Sequence, residues 1–242
     1  MEKTVSEAIA YRRSVRVYKD QPIDSDLVKN CLKNAALAPT SSNLQLWEFY
    51  HITDKKTLDK LAFACFNQSA AKTAQQLVVI VTRKDLWKKR AKANIDFLNK
   101  AFNKPNLEER LVKRKKMATN YYKKLIPTLY SEFLGILGFA KYLIFQVVGL
   151  FRPIYRQTRL SDMRIVAHKS AGLAAQNFMI SMAAIGYDTC PMEGSDTLRV
   201  KQILDLPKGS EVNMIIGCGI RDDAGVYGPR FRVPFDEVYK MV

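Results

Sequence analysis

The chain has 242 residues, 48% of them hydrophobic and 26% charged, a globular balance that can bury one sizeable core. Its net charge of +16 would raise nucleic acid as a partner, but the excess is local: residues 83–159 hold 19 lysines and arginines against 5 acids, a net of +14. The first twenty residues lack the continuous apolar run of a secretory signal, so a cytoplasmic location is expected. Cys31, Cys65, Cys190 and Cys218 stand far apart, and only His51 and His168 could join them. Buried thiols and no metal centre are expected.

Apolar side chains recur at three- and four-residue intervals over 5–13 and 24–37, which predicts two helices, the second opened by Asp24-Ser25-Asp26. The breaker Ala38 to Asn43 follows, then an aromatic strand at Trp47–Ile52, a helix at about 55–65 and a short buried strand at Leu77–Thr82. Residues 84–160 interrupt this alternation. They are lysine-rich and helical at first, then strongly apolar from Phe133 to Phe151, and read as an insertion. A long helix from Asp162 to Ile185 is stopped by Gly186, a strand runs from Tyr187 to Cys190, and Pro191-Met192-Glu193-Gly194 forms a turn. A helix at about 196–204 and a strand at Val212–Gly217 complete the series. Alternating helices and strands predict a layered α/β sandwich, one domain over 1–242 with 84–160 inserted in it. There is no internal repeat.

Chemistry-bearing residues cluster in four places. Arg12-Arg13-Ser14-Val15-Arg16 packs three guanidiniums and a hydroxyl into five residues, enough to clamp a phosphate, although such a cluster in isolation is more often a solvated basic turn. Arg230 and Arg232 lie near the other end, spaced to share one face of an extended segment. Between them, Pro39-Thr40-Ser41-Ser42-Asn43-Leu44-Gln45-Leu46-Trp47 is rich in turn-tolerant hydrogen-bonding groups, suited to holding a polar heterocycle or to satisfying its own backbone. The fourth place is the 191–194 turn. Gly217-Cys218-Gly219-Ile220-Arg221-Asp222 lacks the third glycine of a dinucleotide fingerprint, so nicotinamide has no dedicated site. His51, within a strand, and His168, on the long helix, read as structural.

The order and spacing of R-R-S-x-R, A-P-T-S-S-N-x-Q-x-W, P-M-E-G, G-x-G-x-R and R-F-R resemble the FMN-dependent nitroreductase family over nearly the whole chain outside the insertion. The resemblance implies an α/β (α+β) three-layer sandwich, a mixed sheet flanked by helices with a helical insertion, in a homodimer with FMN at the subunit interface. It implies that Arg12, Ser14, Arg230 and Arg232 hold the FMN phosphate, that Arg13 touches the cofactor, and that Arg16 lies near flavin N1 and O2. It also places the backbone of Pro191, Met192, Glu193 and Gly194 against flavin N5, and brings Pro39, Thr40, Ser41, Asn43 and Gln45 to the flavin, the loop coming from the partner subunit. Asn67 is implied as a ring contact. Leu46 departs from the family, which often has proline there.

The function so implied is reduction of nitroaromatics, quinones or similar electron-poor acceptors in two half-reactions, with NAD(P)H as transient donor and no catalytic side chain. Two alternatives stay open: an enzyme of the same fold acting as a reductive dehalogenase or consuming its flavin, and a basic peripheral-membrane protein without redox activity. Few aromatics interleave the basic run 110–116, so nucleic acid is not expected as a partner. Phe133–Phe151 can be read as a lid or partner-packing helix, as an interfacial membrane helix giving peripheral membrane contact, or as a span, which Lys141 near its centre disfavours. Because the flavin motifs lie outside it, the insertion is expected to govern access and location rather than flavin binding.

Overall fold

A computed structural model describes residues 2–104, 107–133 and 135–242. Pro105, Asn106 and Leu134, which the expected insertion includes, lie outside the described residues. Helix α1 (Val5–Tyr11) opens on a reciprocal cap: Thr4 Oγ1 accepts from Glu7 N at 3.3 Å, and Thr4 N donates to the Glu7 carboxylate at 2.7 Å. Asp24 caps α2 (Ser25–Ala35), and Asp54 does the same for α3 (Lys55–Ala64). Between these helices lies β1 (Trp47–Ile52); the single turn α4 (Ser69–Lys72) leads into β2 (Gln76–Thr82). Among the described residues of the insertion run four α-helices, α5 (Trp87–Ala101), α6 (Glu109–Asn120), α7 (Ile126–Tyr130) and α8 (Ile136–Phe151), with a π-helical turn at Tyr121–Leu125. Then follow α9 (Leu160–Ala184), β3 (Asp188–Met192), α10 (Thr197–Ile203), β4 (Glu211–Gly219) and a short α11 (Phe235–Val238). Gly186 ends α9 as expected, at φ 88, which only glycine adopts without strain.

The sheet order is β1-β2-β4-β3, and every pairing is antiparallel. The parallel component of the expected mixed sheet is confined to a single bridge, Ser14 to Thr189. The three layers are visible in β2, whose residues alternate between two cores. Leu77, Val79 and Val81 face α3, α4 and α10, packing with Leu58, Leu61 and Val200. Val78 and Ile80 face α2 and α9, packing with Val28, Ala175, Phe178 and Met182. With both faces covered, β2 is apolar from Leu77 to Val81 instead of alternating with polar residues.

Two boundaries shift for reasons that bear on the site. The first helix stops at Tyr11, not at 13, because the chain turns extended at Arg12 and Val15 N donates to Thr189 O at 3.2 Å, joining the edge of β3. The strand expected to end at Cys190 runs on through Pro191 and Met192, which pair with Ile216 and Ile215. A proline is tolerated there because β3 is an edge strand whose outer side needs no donor.

Gly217 and Gly219 serve Tyr18. Its ring lies so close that a Cβ on Gly219 would sit 2.7 Å from it, and its hydroxyl donates to Gly217 O at 2.9 Å. The G-x-G sequence thus makes a seat for an aromatic ring.

Candidate functional site

The extended turn after α1 and the segment 226–232 enclose a pocket of about 300 Å³ lined by Arg12, Arg13, Ser14, Arg16, Arg230 and Arg232 together with Tyr227, Pro229 and Phe231. The two distant arginine pairs do converge. Main-chain contacts build the pocket: Arg13 donates to Gly228 O at 2.6 Å, Arg16 N donates to Gly225 O at 2.6 Å, and Arg230 donates to Ala10 O and Arg12 O at 2.8 and 2.6 Å.

No acidic residue lines this pocket among the described residues. Among the described residues, neither Arg12 nor Arg16 makes a side-chain hydrogen bond or ion pair to protein, whereas Arg221 nearby is fully engaged with Asp188. Burial holds the Arg12 guanidinium below the ordinary arginine value, and the like charges of Arg230 and Arg232 add to the effect. Five cations without a counter-charge, one of them destabilised by its neighbours, form a receptor for a multiply charged anion.

The Arg221–Asp188 pair is a feature that the sequence motifs did not single out. Asp188 is almost wholly buried, accepts from Arg221 N at 2.8 Å and Nε at 2.9 Å, and the guanidinium stacks 4.1 Å from the Tyr11 ring. This locks the C-terminal end of α1 onto β3 and β4, and so positions Arg12 to Arg16. Arg221 lay in the quoted G-x-G-x-R motif; its partner could not be read without the strand pairing. Cys190 sits beneath the same turn, its thiol pushed up by burial and partly drawn back by Arg16 and Arg12.

The 191–194 turn emerges from β3 beside that pocket. It is met by the 66–68 turn, but through Gln68, which donates to Gly194 O at 2.9 Å. Asn67 is exposed and makes no side-chain hydrogen bond among the described residues. Phe66 and Asn67 both adopt positive φ, 58° and 53°, conformations that asparagine tolerates and phenylalanine rarely shows. Glu193 and Gly194 are exposed at the tip.

The 39–45 loop does not join these residues within one chain. It faces the insertion, where Ser41 and Ser42 line a second, largely apolar pocket of about 460 Å³ with Tyr121, Leu129, Tyr130, Phe145, Tyr155 and Met163. Ser42, Asn43 and Gln45 have φ of 54°, 50° and 47°. Insertion residues brace this strained backbone: Asn94 donates to Asn43 O at 3.0 Å and accepts from Asn43 Nδ2 at 2.8 Å, Tyr122 donates to Ser42 O at 3.1 Å, and the Tyr121 hydroxyl meets Ser42 Oγ at 2.6 Å. Gln45 Nε2 turns back toward Asn43. Leu46, where the family often has proline, is buried against Ala91, Ile126 and Met163. The insertion thus holds one of the motif loops in shape, a role that the sequence motifs did not single out.

The two histidines both engage protein groups. His51 Nε2 donates to Gln76 Oε1 at 2.7 Å; His168 accepts at Nδ1 from Asn213 and donates from Nε2 to Glu211 at 3.2 Å. All four cysteines are buried and free, and no metal-ligating cluster exists among the described residues.

The nitroreductase family model matches residues 9–220. The chain belongs to the nitroreductase family. It is 25% identical to protein DrgA of Synechocystis over 218 residues, which cover 90% of this chain and 84% of that protein. A Bacillus subtilis protein provisionally named NAD(P)H nitroreductase YdgI is 26% identical over 235 residues, 96% of this chain and 94% of the relative. In fold it is similar to a protein of Exiguobacterium sibiricum solved in complex with FMN, with a TM-score of 0.68, 21% identity, and 99% and 98% of the two chains covered. The sandwich read from the sequence is this family's fold, and the nitroreductase match spans both ends of the insertion.

Proposed function

We propose that this nitroreductase-family chain is an FMN-dependent oxidoreductase that takes reducing equivalents from NAD(P)H and passes them to nitroaromatics, quinones or similar electron-poor acceptors. The observation that carries this reading is the acid-free arginine pocket between residues 12–16 and 226–232. A flavin phosphate has the charge that the pocket lacks, and the provisional name of the Bacillus relative and the FMN complex of the Exiguobacterium protein point the same way.

In this reading Arg12, Ser14, Arg230 and Arg232 hold the phosphate, with Arg13 beside them. FMN supplies the hydride chemistry when bound. The chain's own part is to bind and to polarise. Arg16 stabilises negative charge on the reduced ring, and the main chain of Pro191–Gly194, with Gln68 bracing it and Asn67 alongside, offers donors to the ring edge. Pro39, Thr40, Ser41, Asn43 and Gln45 complete the site from the partner in a homodimer, since none of them lines the arginine pocket of its own chain and Ser41 lines a different one. The enzyme is cytoplasmic, built as one domain with the 84–160 segment inserted.

The test is optical. Purified protein should carry flavin absorbance that bleaches on anaerobic addition of NADH or NADPH and returns when a quinone or nitroaromatic is added. Colourless protein with no affinity for added FMN would defeat the proposal.

A further inference from the structure

Helix α8 is arranged inside out. Every exposed residue on it is apolar, among them Ile136, Phe139, Leu143, Ile144, Val147 and Leu150, with exposures between 50% and 76%. Its one buried residue is Gly138. The polar side chains point inward and are consumed there. Lys141 donates to the main-chain oxygens of Thr128 at 3.0 Å and Ser131 at 2.7 Å, which close α7. Gln146 is bound by Arg156 at 2.8 Å, and the same guanidinium caps the last turn of α8 at Gly149 O. A lysine that reached outward would break the apolar face; here its charge is neutralised by a helix end. A 16-residue helix is roughly 24 Å long, so this is an extended apolar ridge in contact with water.

The charge of the insertion that carries it selects the occupant. Between residues 110 and 124 there are seven basic residues and no acid. Arg110, Lys113, Arg114, Lys116, Lys123 and Lys124 are exposed, and none makes an ion pair among the described residues. A second copy of this chain brings the same excess of cations and no counter-charge for them. An anionic bilayer offers both an apolar interior for the ridge and counter-charge for the lysines. No helix among the described residues is long and apolar enough to cross a membrane.

We infer that the insertion docks the protein on anionic membrane surfaces, with α8 lying in the plane of the interface and the basic residues of 110–124 engaging lipid headgroups. The ridge supplies burial, while the cations supply selectivity for negative lipid and make attachment sensitive to salt. The inner face of α8 stays on the protein, where Phe145 lines the apolar pocket beside Ser41 and Ser42.

The experiment uses full-length protein as purified, mixed with vesicles of phosphatidylcholine alone or phosphatidylcholine with phosphatidylglycerol, and read by co-sedimentation over a salt series. The expected result is binding to the phosphatidylglycerol vesicles, weaker by about tenfold or more to the neutral ones, and loss of most binding at about 0.5 M salt. Leu143→Glu/Val147→Glu and Lys113→Glu/Lys116→Glu should each reduce partitioning by about tenfold or more while leaving flavin content and melting temperature unchanged. Four outcomes would overturn the inference: no binding to either vesicle, equal binding to both, variants that bind like wild type, or a concentration-dependent self-association abolished by the α8 variant without lipid binding. Should the α8 variant fold poorly, the Lys113/Lys116 variant and the wild-type salt series decide alone. Flavin content is read separately, so failure here is distinguishable from failure of the FMN reading.

Discussion

Arg230 reaches across the chain to cap α1, donating to the carbonyl of Arg12 at 2.6 Å while its charge opposes the Arg12 guanidinium. One residue therefore helps to build the pocket and to charge it. Arg232, whose only hydrogen bond among the described residues is to the adjacent Phe231 O at 2.7 Å, has the second task alone. Arg230→Ala should lower both FMN affinity and the stability of the flavin-free protein, whereas Arg232→Ala should lower affinity alone. Losing a charge-assisted contact amounts to about 1.5–3 kcal/mol, or roughly ten- to a hundredfold in Kd. Fluorescence titration with FMN, paired with urea unfolding of the apoprotein, separates the two.

The crowding around Arg12 predicts a reversal of sign. Without a bound anion its charge is disfavoured by burial and by two like neighbours, and because arginine does not discharge near neutrality this penalty persists across the ordinary pH range. Arg12→Met should raise the melting temperature of flavin-free protein yet lower that of FMN-saturated protein. Thermal melts with and without FMN would show it; destabilisation in both states would contradict the account.

Arg16 makes no side-chain hydrogen bond to protein among the described residues, which leaves its charge available to a ligand. Arg16→Gln should lower the potential of bound FMN by a few tens of millivolts, about 30 mV corresponding to ~1.4 kcal/mol for a two-electron couple. An unchanged potential in a variant that still binds flavin would assign Arg16 to anchoring instead.

Asp188 is buried against Arg221 at the hub joining α1 to the sheet. Asp188→Asn removes the charge and strands the guanidinium, so it should destabilise by about 3 kcal/mol or more and loosen the Arg12–Arg16 turn. Urea unfolding gives the first effect, and FMN affinity gives the second.

Glu211 adds a pH dependence. Burial pushes its carboxyl up, but the hydrogen bonds of Arg164 and His168, with the charge of Arg164, outweigh burial and hold it below the ordinary glutamate value. The unfolded chain then takes up this proton at a higher pH than the folded one. The stabilisation is complete above the ordinary value of about 4.3 and is lost as pH falls through the lower folded value. Glu211→Gln should therefore be less stable at pH 7 and converge with wild type as the medium is acidified. Glu211 is about a third exposed, so the difference should stay under ~1 kcal/mol.

Elements with a strong local signal were legible in the sequence: the apolar run of β2, the acid-capped helices and the glycine stop after α9. What was hidden depended on contacts across the chain. Pro191 reads as a strand breaker unless β3 is known to be an edge. Asn94 and Tyr122 look like ordinary insertion residues until they meet Asn43 and Ser42, 51 and 80 positions away. The arginine pocket was visible as two motifs, but its lack of any acid is a property of the assembled site. Helix α8 reads by composition as one to be buried. Its orientation is set by where Lys141 and Gln146 find partners, and no periodicity reports that.

The separation of the 39–45 loop from the arginine pocket has a genetic consequence if each flavin is held by two chains. A chain disabled at Arg12 and Arg232 still carries a sound loop, and a chain disabled at Ser41 and Asn43 still carries a sound pocket. Co-expressed, two such null alleles would assemble mixed dimers in which one site of two is built wholly from intact parts. Activity would then return from two inactive polypeptides, a complementation that no self-contained site could produce.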